Sequence, residues 1–376
     1  MTAVAGVLIA TVFVLYVLFG YPLLLRFLAR WFARPVRKKF FQPHVSVIVA
    51  AHNGEAFIAQ KLNSILALDY PRTLMEIFVV SDGSTDRTDE ITGQFKEVRL
   101  LKVPRGGKPA AVNAGIAAAT GEILVLTDVR QQLAPDSLRR LLENFADPQV
   151  GTASAELVIL DGKSGEEASI GLYWKYEFGI RMCLSAIDSI FGATGAYYAI
   201  RRELAVPIPP GSLLDDMHLP LAAFFQGYRL VVEPGARMFD NPTGLDLEFW
   251  RKVRTLAGNY QIIAAYPALL STRNRMLFHY LSYKFARLLL PFALLTIMAA
   301  SFGVPEPWRQ LLIAGQLAFY GIALADRWVP DTFPLKKATS AIRTFVVLMA
   351  ATFCAVSILF VPGERLWRAA TEVRKG

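Results

Sequence analysis

The hydrophobic pattern divides the chain into apolar ends and an alternating middle. From Thr2 to Leu25 the residues TAVAGVLIATVFVLYVLFGYPLLL include no charged side chain, enough to cross ~30 Å of hydrocarbon at ~1.5 Å per residue. Three more apolar runs close the chain: Leu288–Val304, Leu311–Leu324 and Thr344–Val361. The middle one is short and is broken by Gln316. Between them the period changes. VSVIVAA (Val45–Ala51) reads as a buried strand, and Phe57, Ile58, Leu62, Ile65 and Leu66 recur at helical spacing until Tyr70-Pro71. Strands at Glu76–Val80, Val98–Val103 and Glu122–Thr127 alternate with helices at Thr88–Phe95 and Lys108–Ala119, and a further helix is expected over Asp216–Gln226. Strand and helix alternating in this way predict parallel strands joined by crossover helices.

Composition agrees with this division. At 54% hydrophobic residues the chain exceeds the ~45–50% of soluble domains. A cleaved signal peptide is the rival reading of the N-terminus. However, the basic residues follow the apolar run instead of preceding it, and no small-residue cleavage site stands out, so an uncleaved anchor is expected. Arg26, Arg30, Arg34, Arg37, Lys38 and Lys39 come just after that run. By the positive-inside rule they place the N-terminus outside and the following domain in the cytosol. Three C-terminal crossings would carry the basic tail (Arg365, Arg368, Arg374, Lys375) outside, and a re-entrant middle segment would resolve that conflict. The net charge of +9 reflects membrane-flanking basic residues and a domain that handles phosphates. It does not form a soluble, aromatic-rich nucleic-acid module, so no nucleic-acid partner is expected. The two cysteines, Cys183 and Cys354, suit a reducing compartment and offer neither a disulfide framework nor a zinc site.

Each predicted strand ends in polar residues: Asn53 and Glu55, then Asp82 and Ser84, then Asp128 and Arg130. Ligands of such sheets bind beyond the carboxyl ends of the strands. The glycine-rich pieces match neither the dinucleotide fingerprint nor the P-loop, which argues against an oxidoreductase or an NTPase. AHNGE (Ala51–Glu55), SDGSTDRT (Ser81–Thr88), GGKPAAVNAG (Gly106–Gly115), TDVR (Thr127–Arg130), GATGAYYAIRR (Gly192–Arg202) and LLDDMHL (Leu213–Leu219) follow one another in this order. Between about Val45 and Gln261 the chain thereby resembles the membrane-embedded, inverting family 2 glycosyltransferases, the group of the cellulose, hyaluronan and poly-N-acetylglucosamine synthases. The resemblance implies an α/β GT-A fold with a Rossmann-like mixed sheet, a nucleotide-diphosphate sugar donor (a UDP-sugar by this likeness) and inversion at the anomeric carbon.

Residue by residue, the resemblance puts Ala51, Asn53, Glu55, Asp82, Lys108, Asn113, Asp128, Arg130 and Arg254 on the donor side. Glu55 and Asp82 would accept hydrogen bonds from base or ribose, although an acid in such a turn also serves as a helix cap. Lys108 opens a helix after two glycines, where free N–H groups attract anions. Asp128 is the metal candidate, since Mg²⁺ or Mn²⁺ bridging two phosphates takes carboxylate oxygens. Where the family has its second acid this chain has Arg130, so either Asp128 holds the metal with fewer protein ligands or Arg130 replaces part of its charge on the leaving phosphate. Asp216 is the expected base for the acceptor hydroxyl, with Asp215 beside it. Gly192, Thr194, Gly195, Asp215 and Trp174 are assigned to the acceptor, with Tyr173 and Tyr176 as further aromatic candidates that are equally core residues. No histidine pair suggests ligation, and His218 is the nearest to a candidate.

Processive synthases carry Gln-x-x-Arg-Trp where this chain reads Arg251-Lys252-Val253-Arg254-Thr255. Arg254 is kept and the tryptophan is lost. The expected organisation is an anchor over 1–28, a GT-A domain over 42–243, interfacial helices over 244–284, about three transmembrane helices over 285–364 and a tail over 365–376. The expected activity is transfer of a sugar to a hydroxyl of a lipid-linked or membrane-proximal saccharide. The enzyme would sit in a plasma membrane of bacterial or archaeal type, with membrane lipids and a glycolipid or saccharide acceptor as partners. A processive synthase, a polyprenyl-phosphate glycosyltransferase and an inactive partner of a synthase are the competing readings.

Overall fold

The computed structural model describes residues 2–160, 165–241, 245–363 and 365. Two compact units emerge: Trp31–Leu160 with Arg181–Asn241, and Met1–Arg30 with Asp161–Ile180 and Pro242–Gly376.

The first unit is built on strands β1 (Val45–Ala51), β2 (Met75–Asp82), β3 (Val98–Val103), β4 (Ile123–Asp128), β5 (Gln132–Leu133), β6 (Val150–Ile159), β7 (Tyr197–Arg201) and β8 (Arg229–Asp240). They form one sheet in the order β3-β2-β1-β4-β7-β6-β8-β5. The β3-β2-β1-β4 part is parallel, and β7 runs antiparallel to both β4 and β6. This is the mixed α/β sheet of a GT-A fold, as expected. Its central strands are mostly apolar because both faces are covered: Val45, Val47 and Val49 pack with Ile58, Leu62 and Ile65 of the helix Ile58–Leu66 in one core.

Element ends differ slightly from the expectation. The helix after β2 is only Thr88–Thr92, with Gly93 as its cap, and the helix carrying the acidic pair is Asp215–Phe225. At the amino ends of the strands, the Glu76 carboxylate gathers Ser46 Oγ, Thr120 N (2.6 Å) and Gly121 N (3.3 Å), tying β1, β2 and β4 together.

Among the described residues, three helical runs are long and apolar enough to cross a membrane: Thr2–Trp31, Leu277–Ser301 and Lys336–Leu359. Side chains such as Ile9, 71% exposed, face outward from them. The last two runs begin earlier than expected, so the boundary placed at residue 285 falls inside a continuous helix. The expected middle span is the helix Trp308–Ala325, which is not among the three. Gln316 interrupts its apolar surface and donates instead to Ser301 Oγ at 3.0 Å, a polar contact of the kind that joins membrane helices. Arg368, Arg374 and Lys375 of the tail lie outside the described residues.

Burial pushes the Glu76 carboxyl up, but its hydrogen bonds from Ser46, Thr120 and Gly121 outweigh this and hold the pKa below the ordinary value. A depressed carboxylate contributes stability that is present above its unfolded pKa, about 4.3, and lost as pH falls through the lower folded value. Glu76→Gln should therefore cost about 1–3 kcal/mol at pH 7, with the gap to wild type narrowing in acid. Thermal unfolding at both pH values checks this, and an unchanged melting temperature at pH 7 would refute it.

Candidate active site

The site is assembled at the carboxyl ends of β2 and β4. Asp82, which ends β2, is 2% exposed. Its carboxylate accepts hydrogen bonds from Gly106 N (2.7 Å) and Gly107 N (3.1 Å) and pairs with Arg105. Gly107 stands at φ +83°, a left-handed conformation that favours glycine. This clamp presents the first turn of the helix Lys108–Ala118, whose free N–H groups attract anions.

Lys108 projects from that turn between two acids, its Nζ 2.9 Å from Asp128 Oδ1 and 3.2 Å from Asp215 Oδ2. Burial disfavours the ammonium, but Asp128, Asp215 and Asp216 outweigh it and hold the pKa above the ordinary lysine value. Lys108 is thus no ordinary surface lysine. A small cavity lined by Ile48, Ala50, Lys108, Asp128, Gly195 and Asp215 adjoins the group. Asp128 ends β4 with a partly exposed side chain, and its backbone N–H donates to Ala196 O at 3.1 Å.

Asp216 is placed by backbone contact: Ala193 N donates to Asp216 O at 2.8 Å. A Cβ on Gly195 would lie 2.6 Å from Asp216 Oδ2, so only glycine lets the strand β7 approach come this close. Thr194 and Gly192 are held by a residue without a signal in the sequence. Arg181 donates to Thr194 Oγ1 (2.7 Å), Ser154 Oγ (2.9 Å) and Gly192 O (3.2 Å). Tyr198 was also missed, being one apolar-looking position in a strand. It is fully buried, its hydroxyl finds no partner among the described residues, and burial followed by Asp215, Asp216 and Asp128 pushes its pKa up.

The other candidates make contacts within the protein. The Asn113 amide is committed to the backbone of Ile208, donating to its O and accepting from its N, each at 2.9 Å. It thereby holds the Pro207–Gly211 loop at Ile208. Arg130 pairs with Asp240, which also accepts from Gln131 Nε2 at 2.8 Å, so its charge is already balanced by protein. Asn53 and Glu55 clasp the turn after β2: Thr85 N donates to Asn53 Oδ1 (2.8 Å) and Arg87 N to Glu55 Oε2 (3.1 Å). Ala51 is buried at the end of β1, paired in register with Ser81. His218 is buried, which lowers its pKa, with a backbone hydrogen bond at Pro207 opposing the shift. Trp174 and Arg254 belong to the second unit. There the Lys252 ammonium lies 4.6 Å from the Trp174 ring and 4.4 Å from that of Tyr173, and Tyr176 donates to Leu18 O at 2.9 Å.

Residues 46–205 match the family model "Glycosyl transferase family 2", so the chain carries a domain of that family. It is 36% identical over 128 residues to the beta-monoglucosyldiacylglycerol synthase of Nostoc sp., an overlap of 32% of this chain and 27% of that protein. It is 26% identical over 247 residues to the probable glycosyltransferase YdaM of Bacillus subtilis, covering 60% of this chain and 57% of the relative. The chain thus spans less than two thirds of either relative. Among solved structures, the mannosyltransferase PcManGT of Pyrobaculum calidifontis, in complex with GDP-Man and Mn²⁺, is 26% identical. The TM-score is 0.74, over 94% of this chain and 99% of that one.

The Gly195–Asp216 approach yields a test that needs no activity assay. Gly195→Ala should cost about 1–3 kcal/mol through overpacking. Because the clash is with the Asp216 carboxylate, adding Asp216→Ala should recover much of that loss. Fully additive melting-temperature changes in the double variant would show that the two residues do not touch.

Proposed function

We propose that this chain, with its family 2 glycosyltransferase domain, transfers a single sugar from a nucleoside-diphosphate sugar to a hydroxyl of a membrane-embedded acceptor, inverting the anomeric centre. The observation that carries the reading is the meeting of Lys108, Asp128 and Asp215 with Asp216 backed against Gly195. In the proposed reaction the acceptor oxygen attacks the anomeric carbon while the bond from that carbon to the diphosphate oxygen breaks. Asp216 takes the hydroxyl proton as the new bond forms. Lys108 and the helix N-terminus it opens stabilise the charge that builds on the leaving diphosphate.

A divalent cation also fits this spot. The oxygens near Lys108 are carboxylates, which hard cations prefer. Among the described residues no three His, Cys, Asp or Glu side chains are grouped to hold an ion alone, so the set suits an ion shared with the diphosphate. Asp128 would hold it, and the ion would draw negative charge from the leaving group. Arg130 is not its substitute in this reading, being paired with Asp240.

The archaeal mannosyltransferase binds GDP-Man, so GDP-mannose stands beside UDP-sugars as the donor to test. The synthase of Nostoc makes, by its name, a monoglucosyldiacylglycerol. Together with three helices able to cross a membrane, this supports an acceptor held in the bilayer and a catalytic domain on its cytosolic face. Release after one transfer follows from Thr255, whose hydroxyl bonds back to Arg251 O at 2.8 Å. It offers no aromatic face to grip a growing chain.

Membranes containing the protein, given GDP-mannose or UDP-sugars, should yield a lipid product longer by one or a few sugars by mass spectrometry. Long polymer beside untouched acceptor would promote the processive reading. Asp216→Asn should retain nucleotide binding and lower turnover by ~10²–10⁴-fold, and near-normal transfer would reduce Asp216 to a helix cap. EDTA should abolish transfer, with Mn²⁺ or Mg²⁺ restoring it. Full activity in chelator would leave charge neutralisation to Lys108 alone.

A further inference from the structure

A second lysine lies beneath this site, and no motif pointed to it. Lys61, on the helix Ile58–Leu66, is 1% exposed. Its ammonium reaches both ends of the turn that leaves β4, donating to Thr127 Oγ1 at 2.6 Å and to Gln131 O at 2.8 Å. Asp128 and Arg130 lie between those two anchors. The Thr127 hydroxyl passes the link on: it donates to Ala196 O at 2.8 Å, the same carbonyl that accepts from Asp128 N. Ala196 follows Gly195, the residue against which Asp216 rests.

A lysine in this position is not what stability alone would select. Burial draws its pKa down to about 7, with the charge of Asp128 pulling the other way. A buried ammonium is costly to desolvate and is tolerated only where hydrogen bonds compensate it, as those to Thr127 and Gln131 do here. What an apolar residue would lose is the closure of the turn. The Gln131 carbonyl would lose the Lys61 donor, and the contacts of Arg130 and Gln131 with Asp240 would have to hold that end of the turn without it. A positive charge under Asp128 also offsets, within the protein, the acids gathered around Lys108.

We infer that Lys61 is a positioning residue for the diphosphate of the donor: it closes the Thr127–Gln131 turn from beneath and so sets the Asp128 carboxylate against the bound nucleotide. This rests on the donor-site reading given above. It separates Lys61 from residues that merely fill the core, because those would change the amount of folded protein and not the affinity of what is folded.

The test is calorimetric binding of GDP and of UDP, each with Mn²⁺, to the full chain in detergent, beside its melting temperature. Lys61→Met keeps the length of the side chain and removes the charge and the hydrogen bonds. It should melt below the wild-type temperature, since the Gln131 carbonyl loses this donor, and the protein that remains folded should bind the nucleotide at least tenfold more weakly. Equal affinity in wild type and Lys61→Met overturns the inference alone, whereas a wild type that binds neither nucleotide overturns the donor-site reading and this inference with it. Should Lys61→Met fail to fold, Thr127→Val decides. It removes the hydroxyl that links Lys61 to Ala196 at nearly constant volume, and should weaken binding at least threefold. Unchanged affinity in that variant overturns the inference equally.

Discussion

The Lys108 ammonium, 2.9 Å from Asp128 and 3.2 Å from Asp215, is the contact around which the site is organised. Three acids contributed by the end of one strand and the start of one helix would repel each other if brought together unpaired. A like-charge cluster of that kind either takes up protons or moves apart. Lys108 makes the cluster tolerable, and the acids in turn keep it charged despite burial. Each partner depends on separate scaffolding. Asp82 fixes the loop that launches Lys108, Ala196 accepts from Asp128 N, and Ala193 N reaches the backbone of Asp216. The acidic pair therefore faces a cation already in place, at a helix start where negative charge is also favoured.

The same economy explains why several strand-end polar groups are turned inward. A sheet whose strands end in loops must satisfy many backbone donors there. Asn53, Glu55 and Asp86 do so for the turn Ser84–Thr88: Asn53 and Glu55 accept from Thr85 N and Arg87 N, and Asp86 Oδ1 accepts from Thr88 N at 3.0 Å. Asn113 does so for the Pro207–Gly211 loop. A polar side chain in a motif can thus act on a ligand at one remove, by holding the loop that touches it. Arg130 is the clearest case: at the position where the family offers a second acid, it meets Asp240 and closes one side of the Asp128 turn.

Much of the architecture was legible from the chain itself. Largely apolar runs such as VSVIVAA, spaced by crossover helices, determine a sheet covered on both faces, and the charge-free stretch from Thr2 to Leu25 determines a helix able to cross a membrane. These readings succeed because they depend on period, length and hydropathy, which are local properties. The order of short motifs likewise singled out Lys108, Asp128, Asp215 and Asp216, each for a separate role; that Lys108 meets Asp128 and Asp215 came from the fold. Local pattern was less able to place element ends. Leu277–Phe285 is interrupted by His279 and Lys284 and reads as interfacial, yet it continues into the helix that ends at Ser301.

Only the tertiary structure decided which partner each polar side chain takes. Lys61 lies 66 residues from Thr127 and 70 from Gln131 in sequence, and Arg130 meets Asp240 across a separation of 110. Nothing in a linear pattern distinguishes a lysine on the buried face of a helix from one that reaches its flank. Trp174 shows the converse: its ring has the chemistry to stack on a sugar, but packing sets the Lys252 ammonium 4.6 Å from it. Residue type determines what a group can bond. Which bond it makes depends on what the fold brings within about 3 Å, and that follows from contacts made across the whole sheet.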